Sequence, residues 1–323
     1  MATVTSTTTE HEAFHRLLAP HLPALHVHCY RMLGSYHDAE EAMQDVLVRA
    51  WRSLDTYEGR APLLHWLYRI ATNTCLKTIQ GRVKQPSLVT EIDYLEPYPD
   101  RLLDALPVES DPAASAERRE SVSLAFVAAL QLLPATQRAV LVLREVLQWR
   151  ADEVAELLDT TVAAVNSALQ RARATLRTAG VADGSPKRRL DAEDRRVLER
   201  FVDAWQRRDI TGLAALLRAD VKLRMPPELM QFHGRDAVAG FFATVPANGR
   251  LELIALVPAR ANGQLACAAF ERDDSGRWQP YGLMVFDLDG AAIAAITGFP
   301  SLVLSGGDRG APAVAFEGLA PSP

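Results

Sequence analysis

Ionisable residues that could carry acid–base chemistry occur in the last third of the chain. They are Asp203, Asp220, Glu228, His233, Glu271 and Tyr281. An isomerase needs a carboxylate or histidine base inside a pocket and a proton donor for the developing oxyanion. None of the six lies in a recognisable catalytic motif, and Asp220 has an alternative role as a turn or cap residue. We therefore expect a pocketed regulatory domain here, with no catalytic residues.

The sequence next suggests a metal site, because six of the eight histidines precede residue 40, in the same segment as Cys29. These are His11, His15, His21, His26, His28 and His37. His26 and His28 are two positions apart, which places them on different sides of a helix. The three cysteines form no C-x-x-C pair, and their number is odd. We expect no metal, no cofactor and no disulfide framework, and we expect a reducing cytoplasm.

A third chemistry, binding to phosphates and base edges, is indicated between residues 118 and 180. The string ADEVAELLDTTVAAVNSALQRARATLR predicts a short helix, a tight turn and a longer basic helix, which is a helix-turn-helix. Residues 161–180 hold three arginines and no acid, although the whole chain has a net charge of −5. Local charge decides whether a surface can approach DNA. The alternative is an ordinary three-helix bundle with a solvated basic face.

The second predicted helix should present a polar and cationic surface to the major groove, over a small core formed by Leu157, Val165 and Leu169. The side chains expected on that surface are Thr160, Thr161, Ala163, Asn166, Ser167, Gln170, Arg171 and Arg173.

Three helices are predicted before residue 81, from the spacing of apolar residues and from stop signals. The first ends near Gly34, the second follows a cap at Asp38, and the third follows the breakers Gly59 and Pro62. Residues 81–117 contain three basic and eight acidic residues and five prolines, so they predict an acidic linker with a short helix near residues 101–105.

Residues 190–304 have a different pattern of apolar residues and turn signals. Two helices are followed by apolar or alternating runs separated by NG, DDSG and DG turns, which predicts a mostly antiparallel sheet. The tail after about residue 304 is rich in Gly, Pro and Ala, and we expect it to be disordered. No apolar run is long enough for a membrane span, and the N-terminus shows no signal peptide.

The string CYRMLGSYHDAEEAMQDVLVRAWRSLDTYEGRAPLLHWLYRIATNTCLKTI resembles region 2 of bacterial RNA polymerase sigma factors. Together with the helix-turn-helix, which resembles region 4, it is similar to the extracytoplasmic-function (ECF) type. The resemblance implies partners: RNA polymerase core, through the β′ clamp helices and the β flap, promoter DNA, and an anti-sigma factor. It also implies that the acidic linker threads the RNA channel of the polymerase. The family default is a monomer.

The resemblance assigns residues to two contacts. The helix over residues 38–54 would grip the β′ clamp helices, with polar contacts from Asp38, Glu41, Gln44, Asp45, Arg49 and Arg52. A solvated helix face is the alternative for this set. The following loop and helix would melt the minus-10 element, with Tyr57, Arg60, His65, Trp66, Arg69, Asn73 and Lys77 as candidates. Trp66 is equally well interpreted as a core residue.

The strings FHGRDAVAGFF and ANGQLACAAFER, with YGLMVFDLDGAAIAAITGF, resemble the SnoaL-like, cystatin-like α+β cone. The resemblance implies an apolar pocket, for which the candidates are Trp205, Met225, Phe232, His233, Phe242 and Trp278. The large apolar residues among them also suit plain core positions. The predicted fold is thus multidomain, with all-α sigma regions and an α+β cone. Its segments are 10–81 (region 2), 82–117 (linker), 118–180 (region 4), 181–189 (linker), 190–304 (SnoaL-like) and 305–323 (tail).

We interpret the chain as a sigma factor, with no catalysis of its own, whose C-terminal domain tunes promoter initiation in cis. Two alternatives remain at this stage. One is a repressor that uses only the helix-turn-helix and binds duplex DNA without polymerase. The other is an enzyme, or a small-molecule-binding protein, that acts through residues 190–304.

Overall fold

The computed structural model describes residues 12–59, 62–83, 95–106, 121–178, 191–226, 230–301 and 311–321. The chain divides into two compact units. The first contains residues 1–88, 102–110 and 125–184, and the second contains residues 89–101, 111–124 and 185–323.

The first unit begins with a bundle of three mutually packed helices, α1 (Leu22–Leu33), α2 (Tyr36–Ser53) and α3 (Leu63–Val83). α1 ends at Gly34, whose φ of 77° is readily adopted only by glycine, and the Gly34 N–H donates to the Tyr30 carbonyl. The expected stop is confirmed. Ser35 caps α2, because its Oγ accepts from the Asp38 N–H at 3.1 Å. The prediction that Asp38 is the cap is wrong, since its carboxylate instead pairs with Arg82.

The bundle core is mainly apolar and contains a buried polar pair. The His28 Nε2 lies 2.9 Å from the Thr72 Oγ1, and both side chains are fully buried. Burial lowers the pKa of His28 to about 3, and the charge of Arg31 adds to the shift. His28 is therefore neutral in the folded protein at ordinary pH.

Further α-helices in the described residues before 180 are α4 (Asp100–Asp104), α5 (Leu124–Gln131), α6 (Ala135–Leu141), α7 (Ala151–Leu157) and α8 (Val162–Thr178). A single π-helical turn, Val142–Val146, extends α6. α7 and α8 form the predicted helix-turn-helix. Leu157, Val165 and Leu169 are at most 6% exposed, as expected for its small core.

The second unit contains α9 (Ala192–Gln206), α10 (Ile210–Ala215), α11 (Arg235–Thr244) and a six-stranded sheet. The strands are β1 (Leu217–Arg224), β2 (Gln231–His233), β3 (Ile254–Ala261), β4 (Gln264–Arg272), β5 (Trp278–Asp289) and β6 (Ala292–Pro300). Their order is β2-β1-β6-β5-β4-β3; among these six strands the β1–β6 pair is parallel and the other neighbouring pairs are antiparallel. The mostly antiparallel α+β prediction is confirmed.

The core of this unit lies between its helices and one face of the sheet. Phe201 of α9 makes edge-to-face contacts with Phe242 of α11 and Phe286 of β5, with centroids 5.8 and 5.0 Å apart. Trp205 packs on Phe242, and its indole N–H donates to the Ile254 carbonyl at 3.1 Å. Aromatic rings therefore fill the middle of the cone.

Two stretches differ from the sequence expectation. Residues 95–100 and 121–124, which fall at or beside the predicted linker, are buried and belong to the second unit. The tail is expected to be disordered; within it, residues 311–321 contain a short helical turn, Ala313–Phe316, that packs against β5. Phe316 is 7% exposed and meets the ring of Phe270 at 5.7 Å.

Candidate polymerase and nucleic-acid interfaces

One side of α3 carries residues expected to open DNA. His65, Arg69, Asn73 and Lys77 are spaced four apart, so they lie on one slowly turning strip of the helix. Arg69, Asn73 and Lys77 are exposed, and His65 is half-buried. We call these four residues the α3 strip. It offers two cations, an amide and an aromatic ring, which are the groups that bind phosphates and unstacked bases.

Two further candidates lie beside the start of α3. The rings of Tyr57 and Trp66 are 5.2 Å apart and tilted by 40°, and both side chains are half-buried. Trp66 is therefore in contact with the preceding loop and also accessible. Arg60 lies outside the described residues.

Trp149, which the sequence analysis does not single out, covers the beginning of the strip. Its ring stacks on His65 with centroids 4.1 Å apart and an angle of 24° between planes. It also meets Tyr68 edge-on at 5.8 Å, and it is only 8% exposed. A tryptophan in a sequence gives no sign of which partner it will pack on, so no local signal marks this contact.

The exposed side of α2 carries five of the six residues expected to bind polymerase. They are Glu41, Gln44, Asp45, Arg49 and Arg52. Asp45 and Arg49 form a loose i,i+4 pair at 3.8 Å, which is worth little at an exposed site. Val48, 47% exposed, lies on the same side one turn from Gln44 and Arg52. The sixth residue, Asp38, is held by Arg82.

The helix-turn-helix presents its candidate residues to solvent. All eight, Thr160, Thr161, Ala163, Asn166, Ser167, Gln170, Arg171 and Arg173, are exposed. Thr161 caps α8, because its Oγ1 accepts from the Ala164 N–H at 3.1 Å. Arg173 pairs with Glu145 at 2.6 Å, so its charge is partly neutralised, whereas Arg171 and Arg177 project from the same helix and are exposed.

The pocket candidates of the C-terminal unit do not share one environment. Trp205 and Phe242 are core residues, Met225 and Phe232 pack at the edge of that core, His233 is exposed, and Trp278 is half-buried. The Arg272 guanidinium lies 5.5 Å from the Trp278 ring centroid, which gives that ring a cation–π role.

Three ionisable candidates of this unit, Asp203, Asp220 and Tyr281, have structural partners. Asp220 is exposed and forms a two-point ion pair with Arg218, which lowers the pKa of the Asp220 carboxyl. Asp203 pairs with Arg207. Tyr281 accepts a 3.1 Å hydrogen bond from the Ala247 N–H, and burial raises the pKa of its phenol. Glu228 lies outside the described residues.

The β3–β4 turn of the second unit binds residues inside the predicted linker and residues that follow it. The Asn262 Oδ1 accepts from the Tyr98 N–H at 2.8 Å, and its Nδ2 donates to the Val122 carbonyl at 2.7 Å. The Gln264 Oε1 accepts from the Leu124 N–H at 2.9 Å.

Asp100 adds a second set of contacts to the same turn. It accepts from the Gly263 N–H at 2.7 Å and pairs with Arg260 at 2.9 Å. We call residues 262–264 the linker-binding turn. Its NG sequence predicts a hairpin and does not reveal that the turn has a partner.

Comparison with known proteins identifies the three parts of the chain. It matches Sigma-70 region 2 over residues 17–84, Sigma-70 region 4 over 123–176 and the SnoaL-like domain over 198–296. The ECF RNA polymerase sigma factor SigG of Mycobacterium tuberculosis is 39% identical over 303 residues, spanning 87% of this chain and 79% of SigG. The chain belongs to the ECF RNA polymerase sigma factors. SigW of Bacillus subtilis, another sigma factor of this class, is 30% identical over 46% of the chain.

The fold of this sigma factor also matches a solved structure. The ECF sigma factor SigJ of Mycobacterium tuberculosis superposes with a TM-score of 0.58 at 21% identity, covering 94% of this chain and 99% of SigJ. The expected combination of sigma regions 2 and 4 with a SnoaL-like domain is confirmed. As a sigma factor, the protein is a transcription initiation factor that works with RNA polymerase on promoters. No helix in the described part of the chain is long and apolar enough to cross a membrane.

Proposed function

We propose that α8 reads the minus-35 element, that the α3 strip opens the minus-10 element, and that the exposed side of α2 binds the β′ clamp helices of RNA polymerase core. The observation that carries this proposal is the α3 strip, because a region that only docked on duplex DNA would not need it. Cations and an amide at four-residue intervals follow a strand backbone, and an aromatic ring at one end stacks an unpaired base.

The side of α2 fits a protein partner better than DNA. Glu41, Asp45, Arg49 and Arg52 mix both signs of charge around the exposed Val48. Acidic groups repel phosphates, whereas mixed charge around an apolar side chain suits a helical protein surface. Region 4 further contacts the β flap, and an anti-sigma factor is a further partner.

The C-terminal unit acts by holding the linker and catalyses no reaction. Asp203 and Asp220 are paired on the surface, the Tyr281 hydroxyl is bonded to backbone, and aromatic rings fill the middle of the unit. The linker-binding turn fixes Tyr98, inside the predicted linker, and Val122, just after it. A linker held in this way is withheld from the polymerase channel, so holding and releasing it tunes initiation in cis.

Potassium permanganate footprinting tests the role of the α3 strip, because it detects unpaired thymines in a polymerase–promoter complex. Holoenzyme with the native chain should give reactive thymines in the minus-10 element. Arg69→Ala should reduce that reactivity about tenfold, since a charged contact to phosphate contributes about 1–2 kcal/mol.

The matched control is Arg196→Ala, the same change at an exposed position of α9. Its reactivity should equal that of the native chain. Equal reactivity of Arg69→Ala and Arg196→Ala would contradict the assignment of the strip.

A further inference from the structure

The backbone conformation of the turn that carries Trp149 fixes the orientation of its ring. The π-helical turn Val142–Val146 is followed by Gln148 in the left-handed region, with a φ of 55°. The backbone N–H of Trp149 donates to the Leu143 carbonyl at 3.0 Å, and the Arg144 guanidinium donates to the Trp149 carbonyl. Non-glycine residues adopt a positive φ at a cost, and π turns concentrate at functional sites, so the position of this ring is specified.

The ring of Trp149, oriented in this way, occupies a site on region 2. Trp149 lies nearly parallel to His65 at 4.1 Å, the geometry of one aromatic ring stacked on another. Tyr68 closes the side of the site through an edge-to-face contact at 5.8 Å. His65 is the first residue of the α3 strip, so Trp149 covers the end of the strip where an aromatic ring is available for a base.

Polar contacts between region 4 and region 2 fix the same arrangement. Arg138 of α6 is 3% exposed, and its Nη1 donates to the Met32 carbonyl at the end of α1 at 2.6 Å. Its Nη2 donates to the carbonyls of Gln131 and Leu133 at 3.0 and 3.1 Å. The guanidinium thus joins the end of α5 to the end of α1 within the first unit.

Regions 2 and 4 cannot remain in this arrangement on a promoter. The minus-35 and minus-10 elements are separated by roughly 25 base pairs, or about 85 Å at 3.4 Å per step. A compact unit of about 150 residues has a radius of gyration of about 15 Å, which corresponds to a span of about 40 Å. The two regions must separate before both elements are bound, and separation removes Trp149 from His65.

We propose that in the free protein Trp149 occupies the place of an unpaired promoter base on His65, so that region 4 and single-stranded DNA compete for one end of the α3 strip. This inference rests on the proposed function of the strip. Region 4 thereby blocks minus-10 binding until polymerase and the minus-35 element draw it away.

Fluorescence anisotropy of the free full-length chain with a labelled pool of random 12-nucleotide single strands tests the competition. Trp149→Ala should bind the single strands about tenfold more tightly than the native chain, because a base on an aromatic ring is a substantial and sequence-tolerant contact. Trp149→Phe, which keeps a ring over His65, should bind like the native chain. Trp278→Ala, a tryptophan removal in the second unit, is the matched control and should also leave the affinity unchanged.

A second measurement tests the same competition in case the Trp149→Ala variant is less stable than the native chain. The rate at which diethyl pyrocarbonate modifies His65, read by peptide mass spectrometry, should rise about fivefold when Trp149 is replaced by Ala and should fall again when single strands are added. Unchanged or weaker binding by Trp149→Ala, or a His65 that DNA does not protect, would overturn the inference.

The two failures are distinguishable. If the native holoenzyme opens the promoter in the permanganate assay and Trp149→Ala gains no affinity for single strands, only the competition is wrong. If the native holoenzyme produces no reactive thymines, the proposed function of the strip fails, and the inference fails with it.

Discussion

Replacing Asn262 with glycine should release the linker from the C-terminal unit. Asn262 and Gly263 have φ values of 57° and 70°, the signature of a type I′ turn, which Gly-Gly also forms without strain. The substitution keeps the bond from the backbone N–H of residue 262 to the Tyr98 carbonyl at 2.8 Å. It removes the two side-chain hydrogen bonds to Tyr98 and Val122.

The size of the effect follows from the burial of the two groups left behind. Tyr98 and Val122 are 1% and 0% exposed. A buried backbone group that loses its partner costs about 1–3 kcal/mol, so docking of the linker should weaken by about 3 kcal/mol, or roughly 150-fold. Asn248→Gly is the matched control, because Asn248 is exposed, has a φ of 56° and belongs to the same unit.

Hydrogen–deuterium exchange of the peptide over residues 95–100 measures this docking. The amides of Asn262→Gly should exchange about 100-fold faster than those of the native chain, and those of Asn248→Gly should not change. Released linker should also increase run-off transcription by Asn262→Gly holoenzyme. Native protection in Asn262→Gly would refute the reasoning, because it would mean that the side chain contributes nothing to holding the linker.

Three further predictions concern stability. The folded pKa of His28, about 3, is below its unfolded value of 6.5, so its contribution is intact above pH 6.5 and is lost as the pH falls toward 3. In urea unfolding, the free energy of unfolding of region 2 should therefore be about 2 kcal/mol lower at pH 5 than at pH 7. In the His28→Gln variant this drop between pH 7 and pH 5 should be correspondingly smaller. An equal drop in both proteins would contradict the prediction. Gly34→Ala should lower the melting temperature more than Gly59→Ala. Both glycines have a positive φ, but of the two only a Cβ at position 34 would approach the Gln131 side chain, at 2.8 Å. Equal decreases in melting temperature would mean that this close approach is unimportant. Phe316→Ala should cost the second unit about 3 kcal/mol in urea unfolding if the tail is a packed element, and nothing if it is not.

Features that depend on neighbouring residues in sequence were predictable. Gly34 ends α1 and the NG pair forms the β3–β4 turn, because each needs only local backbone conformation. The apolar spacing of α8 predicts its buried side, Val165 and Leu169, and therefore its exposed side. The candidate surfaces of α2, α3 and α8 follow from the same periodicity.

Features that depend on distant residues were not predictable. Residues 95–100 show no helix or strand periodicity and contain prolines, so they indicate a linker, yet Tyr98 is held by Asn262, 164 positions away. β2 has three residues and pairs only with β1, so it leaves no alternating pattern to detect. The stack of Trp149 on His65 joins two helical regions, and no local spacing encodes it.

Run-off transcription tests the central claim most directly. RNA polymerase core would be incubated with the full-length chain and a library of upstream fragments, and transcripts would be compared with those from core alone. We expect discrete promoter-dependent transcripts that require the chain. They should be lost when Asn166 and Gln170 on the exposed side of α8 are both replaced by alanine. Transcripts no different from those of core alone would contradict the claim.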